Sequence, residues 1–156
     1  MCELRSETLA CHLLSMKYFA YGSNMDAQQM QRRCPTTRRL GTAVLSRHRF
    51  QIDGRGVATV TACAGLSVHG VVWDITDADE ASLDRYEGVP NFYVKQCCMV
   101  RFDDTVASTL IYCSTNYSTG SPRSGYLQKI ITAAEDNDLP SDYVMELKSW
   151  MGAKNS

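Results

Sequence analysis

Residues 17–25, KYFAYGSNM, constrain this chain more than any other stretch. Tyr18, Phe19 and Tyr21 are aromatic types that fill buried strands, while Gly22, Ser23 and Asn24 are types that make tight turns and cap helices. The reading is a β-strand that stops in a polar turn and feeds a helix over residues 25–34. The unpaired N–H groups and positive dipole end of that helix then lie beside the turn, ready for a carboxylate or a developing oxyanion. Small residues also let a ligand approach the backbone closely. An ordinary strand-to-helix connection uses the same residue types, so this stretch alone does not separate architecture from chemistry.

A chain of 156 residues fits one domain. Sixteen basic against seventeen acidic residues give a net charge of -1, so no global field recruits nucleic acid or an anionic membrane. No window has the apolar length that spans a bilayer. A small metabolite-like partner is the expectation. The seven cysteines (Cys2, Cys11, Cys34, Cys63, Cys97, Cys98, Cys113) are odd in number and lack CxxC or metal spacing, which reads as reduced thiols in a cytoplasmic protein. Residues 1–15 carry Glu3 and Glu7 and no basic leader, a poor signal peptide; they read as an N-terminal extension to a domain over 16–156.

In chain order, the helix over 25–34 has Asn24 or Asp26 near its start and Cys34-Pro35 as its stop. The basic residues Arg32, Arg33, Arg38 and Arg39 read as a solvated face, with an anion patch as the less favoured alternative. Residues 40–52 contain one or two strands interrupted near Ser46-Arg47, and DGRG at 53–56 is a turn. VATVT (57–61) and SVHGVVWDI (67–75), separated by ACAGL, suggest a hairpin or two adjacent strands. TDADEASLDRYEGV is a helix with a capping box from Thr76 and Asp79, ending at Glu87 before Gly88. Strands follow at 93–102 and 106–113, then a polar loop at 114–120. Ser121-Pro122 looks like the cap and first turn of a helix striped by Leu127, Ile130, Ile131 and Ala134. Ser141 caps a last helix with Val144 and Leu147 facing inward. About six strands and three or four helices in mixed order indicate α+β rather than a doubly wound sheet.

Glu87 is the foremost candidate for chemistry. A carboxylate in a helix's last turn faces the negative dipole end, and Tyr86, Val89, Pro90, Phe92 and Tyr93 around it promise partial burial; both raise its pKa toward that of a general base. An exposed, inert helix-end glutamate is the competing reading. Tyr126, opening a helix beside a loop, can offer its phenol to a substrate carboxylate or simply pack. Ser23 lacks a GxSxG elbow and a recognisable His-Asp partner. His12, His48 and His69 share no triad or metal spacing, and Cys97 and Cys98 point to opposite sheet faces as packing residues.

YFAYGSNM, LDRYEGVPNFY (83–93) and GYLQKII (125–131), in this order, resemble the γ-glutamylcyclotransferase (AIG2-like) family from about Met16 to the C-terminus. The resemblance implies a small mixed β-barrel with surrounding helices, and a reaction in which the α-amine of a γ-glutamyl group attacks its own γ-carbonyl to give 5-oxoproline and a free amino acid. It implies Glu87 as the catalytic acid/base, and Tyr18, Phe19, Ala20, Tyr21, Gly22 and Ser23 as the substrate-binding loop. Tyr126 would be a further substrate contact, and Gly56-Val57-Ala58-Thr59 would line the pocket. It implies no cofactor, and relatives suggest a homodimer. Met25 replaces a common leucine, and Asn24 stands where glutathione-specific relatives carry leucine, which points to the general γ-glutamyl dipeptide branch. Alternatives are a γ-glutamyl amine or other conjugate as substrate, or a non-catalytic small-ligand binder.

Overall fold

The strands of this chain close on themselves instead of forming an open sheet. In the computed structural model, which describes residues 16–152, the elements are β1 (Met16–Ala20), a 3-10 turn (Ser23–Met25), α1 (Ala27–Arg33), β2 (Arg38–Ile52), β3 (Ala58–Ile75), α2 (Asp77–Glu87), β4 (Tyr93–Phe102), β5 (Thr105–Ser114), α3 (Tyr126–Asp136) and α4 (Ser141–Gly152). The barrel order is β1-β3-β2-β4-β5, with β1 and β5 parallel at the closure and the other pairs antiparallel. The α+β barrel expected from the motifs is the fold that forms. The expectation for residues 1–15 lies outside the described residues.

Strand and helix boundaries follow local chemistry in most places. Thr76 and Asp79 form the reciprocal capping box of α2, and Gly88 closes that helix in the left-handed conformation at φ 69°. The first helix begins later than expected: Ser23–Met25 is a single 3-10 turn, and Asp26, accepting from Gln29 N at 2.9 Å, is the true cap of α1.

Two further expectations are corrected. VATVT and SVHGVVWDI are not a hairpin or neighbours; all but Val57 of the two runs lies in β3 and pairs in one direction along β2. ACAGL is a bulge facing Arg47, where the register jumps from Ser46↔Ser67 to His48↔Ala62, and Arg47 and Gly65 take positive φ there. The two interruptions visible in the sequence are one irregularity seen from both strands, and five strands result where about six were expected.

The second correction concerns the last long loop. The helix starts at Tyr126 with Gly125 as its cap residue, not at Ser121-Pro122. Arg123 N donates to Gly56 O at 3.0 Å and Arg123 Nε to Arg55 O at 2.9 Å, so this segment is bound to the 53–56 turn and the Arg123 N–H is already spent. Ser141 likewise sits inside the first turn of α4, whose Val144 N bonds to Pro140 O at 3.0 Å.

The core joins barrel interior to helices: Phe19, Phe50, Ile52, Val72 and Ile111 meet Met25, Met30, Leu83, Ile130 and Leu147. Gly70 is the tightest point. A Cβ there would sit 2.3 Å from Ala20 O and 2.8 Å from the Phe19 ring, so only glycine lets β1 lie this close to β3.

Candidate active site

The opening strand delivers its aromatics to two different places. Tyr18 and Tyr21 line a cavity of about 520 Å³, together with Gly22, Ser23, Val57, Ala58, Glu87 and Tyr126. Phe19 and Ala20 do not line it: both are buried in the core, where Phe19 packs on Gly70. Alternation sends Tyr18 and Phe19 to opposite sides, while Tyr21 lies past the end of β1, where the turn rather than the strand directs its side chain.

Asn24 is the hub of the polar floor. Its Nδ2 donates to Tyr18 OH at 3.0 Å and lies 3.4 Å from Glu87 Oε1, while its Oδ1 accepts from Gln29 Nε2 at 2.9 Å and Arg33 Nη1 at 3.0 Å. Trp73 Nε1 fixes its carbonyl at 3.0 Å. Buried at 3% exposure, Asn24 uses every polar atom of its side chain to place Tyr18, Arg33 and Glu87 relative to one another. Gln29 extends the network to Ser23 Oγ at 2.8 Å and to Lys129 Nζ. The Ser23 hydroxyl is thereby engaged by an amide N–H, which cannot act as its base.

Glu87 closes α2 at the cavity wall and is partly buried. Burial pushes its carboxyl up to about 6, and the Arg33 guanidinium pulls the other way. Arg33 is therefore not part of a solvated face: it bonds Asn24 and lies 4.5 Å from the Tyr86 ring centroid. Its neighbours behave as expected, with Arg38 paired to Asp74 at the surface and Arg39 bonded to Asn137.

The opposite wall is built from α3 and the start of β3. Tyr126 OH accepts from Ala58 N at 3.0 Å, which leaves its own proton for a ligand; burial raises its pKa to about 12, so it is a donor at neutral pH. Gly22 has φ −118°, which needs no glycine, but a Cβ would stand 3.7 Å from Ala58 Cβ and 3.8 Å from Tyr126 OH. Glycine here keeps space open between the turn and the phenol. Gly22 N–H and Ser23 N–H have no backbone acceptor among the described residues. Tyr21 OH is committed to Tyr112 O, and Tyr93 OH to Ala58 O at 2.7 Å, so both rings are wall rather than donors.

Beneath that wall, Asp53 is fully buried. Burial would raise its pKa, but the Ser114 hydroxyl, the Val57 and Arg55 N–H groups and the Arg55 side chain outweigh it and hold the carboxyl low. The Asp53–Arg55 pair rigidifies the 53–58 segment that carries Val57 and Ala58 to the cavity.

One partly buried carboxyl poised near neutrality, a phenol donor and a turn with free N–H groups share a single cavity. The family model described as "Gamma-glutamyl cyclotransferase, AIG2-like" matches residues 18–130, spanning all of these groups. The chain belongs to this family. Relatives named gamma-glutamylcyclotransferase from mouse and human are 31% and 29% identical, over 85% and 86% of this chain and 77% and 78% of theirs. A solved structure called gamma-glutamyl cyclotransferase superposes with a TM-score of 0.81 at 29% identity, covering 86% of this chain and 87% of that one. The three stretches singled out in the sequence meet at one place: YGSN supplies the floor, the glutamate of EGV one wall and the tyrosine of GYLQKII the other.

Sequence reasoning placed Tyr93 beside Glu87 but did not find Asn24, Arg33, Arg55 and Tyr112 as cavity residues. Asn24 carried a signal, since a buried amide after a turn must satisfy several hydrogen bonds. Arg33 carried little, because the Asn24 it bonds lies at the other end of a short helix and its cation–π partner Tyr86 is remote in sequence.

Proposed function

We propose that this cyclotransferase converts γ-glutamyl amino acids into 5-oxoproline and a free amino acid, with Glu87 as the single acid/base. The observation that carries this reading is the Glu87 carboxyl, partly buried in the cavity and raised to about 6, beside the Asn24 amide. At neutral pH it is an anion that accepts a proton readily, as a general base must be.

The substrate's α-ammonium gives a proton to Glu87, and the freed amine attacks the γ-carbonyl carbon. A new C–N bond closes the lactam ring while the carbonyl oxygen takes negative charge. Glu87, now protonated, gives that proton to the leaving nitrogen, and the oxyanion re-forms the C=O bond as the C–N bond to the leaving group breaks. The second proton of the ring nitrogen passes through the regenerated carboxylate to the departing amine, which leaves as an ammonium. Because nucleophile and electrophile belong to one molecule, the protein's work is to hold the folded conformer and to stabilise the oxyanion. Tyr126 OH and the Gly22 and Ser23 N–H groups are suited to the substrate's carboxylate and the oxyanion. Arg33 keeps the Glu87 pKa from rising further, and Asn24 aims it. Tyr18 and Tyr21 give the site its apolar body.

Incubation with γ-glutamyl-alanine tests the reading. 5-Oxoproline and alanine in equal amounts support it; glutamate and alanine would mean attack by water and would overturn the intramolecular route.

A further inference from the structure

The cavity runs from a buried floor to an exposed mouth, and its charges are unevenly placed. Four arginines and one carboxylate line it. Two of the four are engaged: Arg33 on Asn24 and the Tyr86 ring, and Arg55 on Asp53, Phe92 O and Ser114 Oγ. The remaining two, Arg85 and Arg123, are exposed at the mouth and have no carboxylate partner among the described residues. Arg123 is also aimed: its Nε is held by Arg55 O at 2.9 Å, which fixes the arm and leaves the terminal nitrogens of the fork. Arg85 stands in the last turn of α2, two residues before Glu87.

With the γ-glutamyl group at the floor against Glu87, the leaving group points to this mouth. An amino acid leaving group brings a carboxylate there; an amine does not. Resting on the cyclotransferase reading above, we propose that Arg85 and Arg123 are specificity-determining residues that bind the carboxylate of the leaving group. The two unpaired guanidiniums then rank substrates: acidic leaving residues above neutral ones, and both above plain amines. Guanidinium and carboxylate match as planar forks, so the effect is geometric as well as electrostatic.

The experiment measures 5-oxoproline release from γ-glutamyl-glutamate, γ-glutamyl-alanine and γ-glutamyl-ethylamide by the unmodified protein and by Arg85→Gln, Arg123→Gln, the double variant and Arg123→Lys. For γ-glutamyl-alanine the double variant loses about tenfold in kcat/KM, mainly through KM, the size of one charge-assisted hydrogen bond. γ-Glutamyl-glutamate loses more, the ethylamide changes less than about twofold, and Arg123→Lys recovers part of the loss. An equal loss on all three substrates would mean that the arginines only support the fold of the mouth, and no loss on any would mean that they touch nothing; either overturns the proposal. If the unmodified protein releases 5-oxoproline from none of the three, the cyclotransferase reading itself fails, an outcome distinct from the other two.

Discussion

Replacing Glu87 by glutamine should make the protein more stable at high pH and indistinguishable at low pH. Burial raises the carboxyl from its ordinary 4.5 to about 6, so the folded state binds a proton that the unfolded chain has released. Stability from this group is complete below pH 4.5 and is lost as pH rises through about 6. The full difference corresponds to about 2 kcal/mol against the charged form, and the residual contact of Glu87 with solvent reduces it to about 1. Glutamine keeps the size and the neighbour Asn24 without the charge. For a chain of this length, about 1 kcal/mol is about 3 °C in Tm. Thermal unfolding followed by circular dichroism at pH 4.5 and pH 8 would read it. A Tm gain confined to pH 8 supports the account. A variant less stable at pH 8, or a difference independent of pH, would refute the claim that burial strains the Glu87 anion.

Arg33→Gln removes the one cation that opposes the Glu87 shift, so the acid limb of the kcat/KM profile should move upward from about 6; a limb that stays in place would disconnect the two groups. Tyr126→Phe deletes the phenol that faces Gly22 and accepts from Ala58 N. KM should rise by about tenfold or more, checked by initial-rate kinetics on γ-glutamyl-alanine, and an unchanged KM would remove Tyr126 from the binding set. Gly70→Ala drives a Cβ to 2.3 Å from a backbone oxygen in the core, and should cost upwards of about 3 kcal/mol by urea denaturation. A loss below about 1 kcal/mol would show that β1 can shift away from β3.

Features carried by neighbouring residues could be read from the sequence. The α2 capping box, its end at Glu87 and the strand-turn at 18–24 each depend on contacts within a few residues, and the structure has them. Where long-range bonds compete, local signals lose. Ser121-Pro122 is a sound cap pair, yet Arg123 is claimed by the 55–56 turn and the helix waits for Gly125. ACAGL resembles a turn between strands, yet both flanking runs pair with β2 and its break becomes a bulge. Arg33 and Arg123 look like ordinary surface cations in the sequence, because the cavity that gives them a role is assembled from segments as far apart as Tyr18 and Tyr126.

Glu87 as the proton carrier is the centre of the account. Its most direct test compares 5-oxoproline release from γ-glutamyl-alanine by the unmodified protein and by Glu87→Gln, with Tm showing that the variant is folded. The account predicts release by the first and a loss of at least about a hundredfold in the second. Release by a folded Glu87→Gln at a rate near that of the unmodified protein would contradict it.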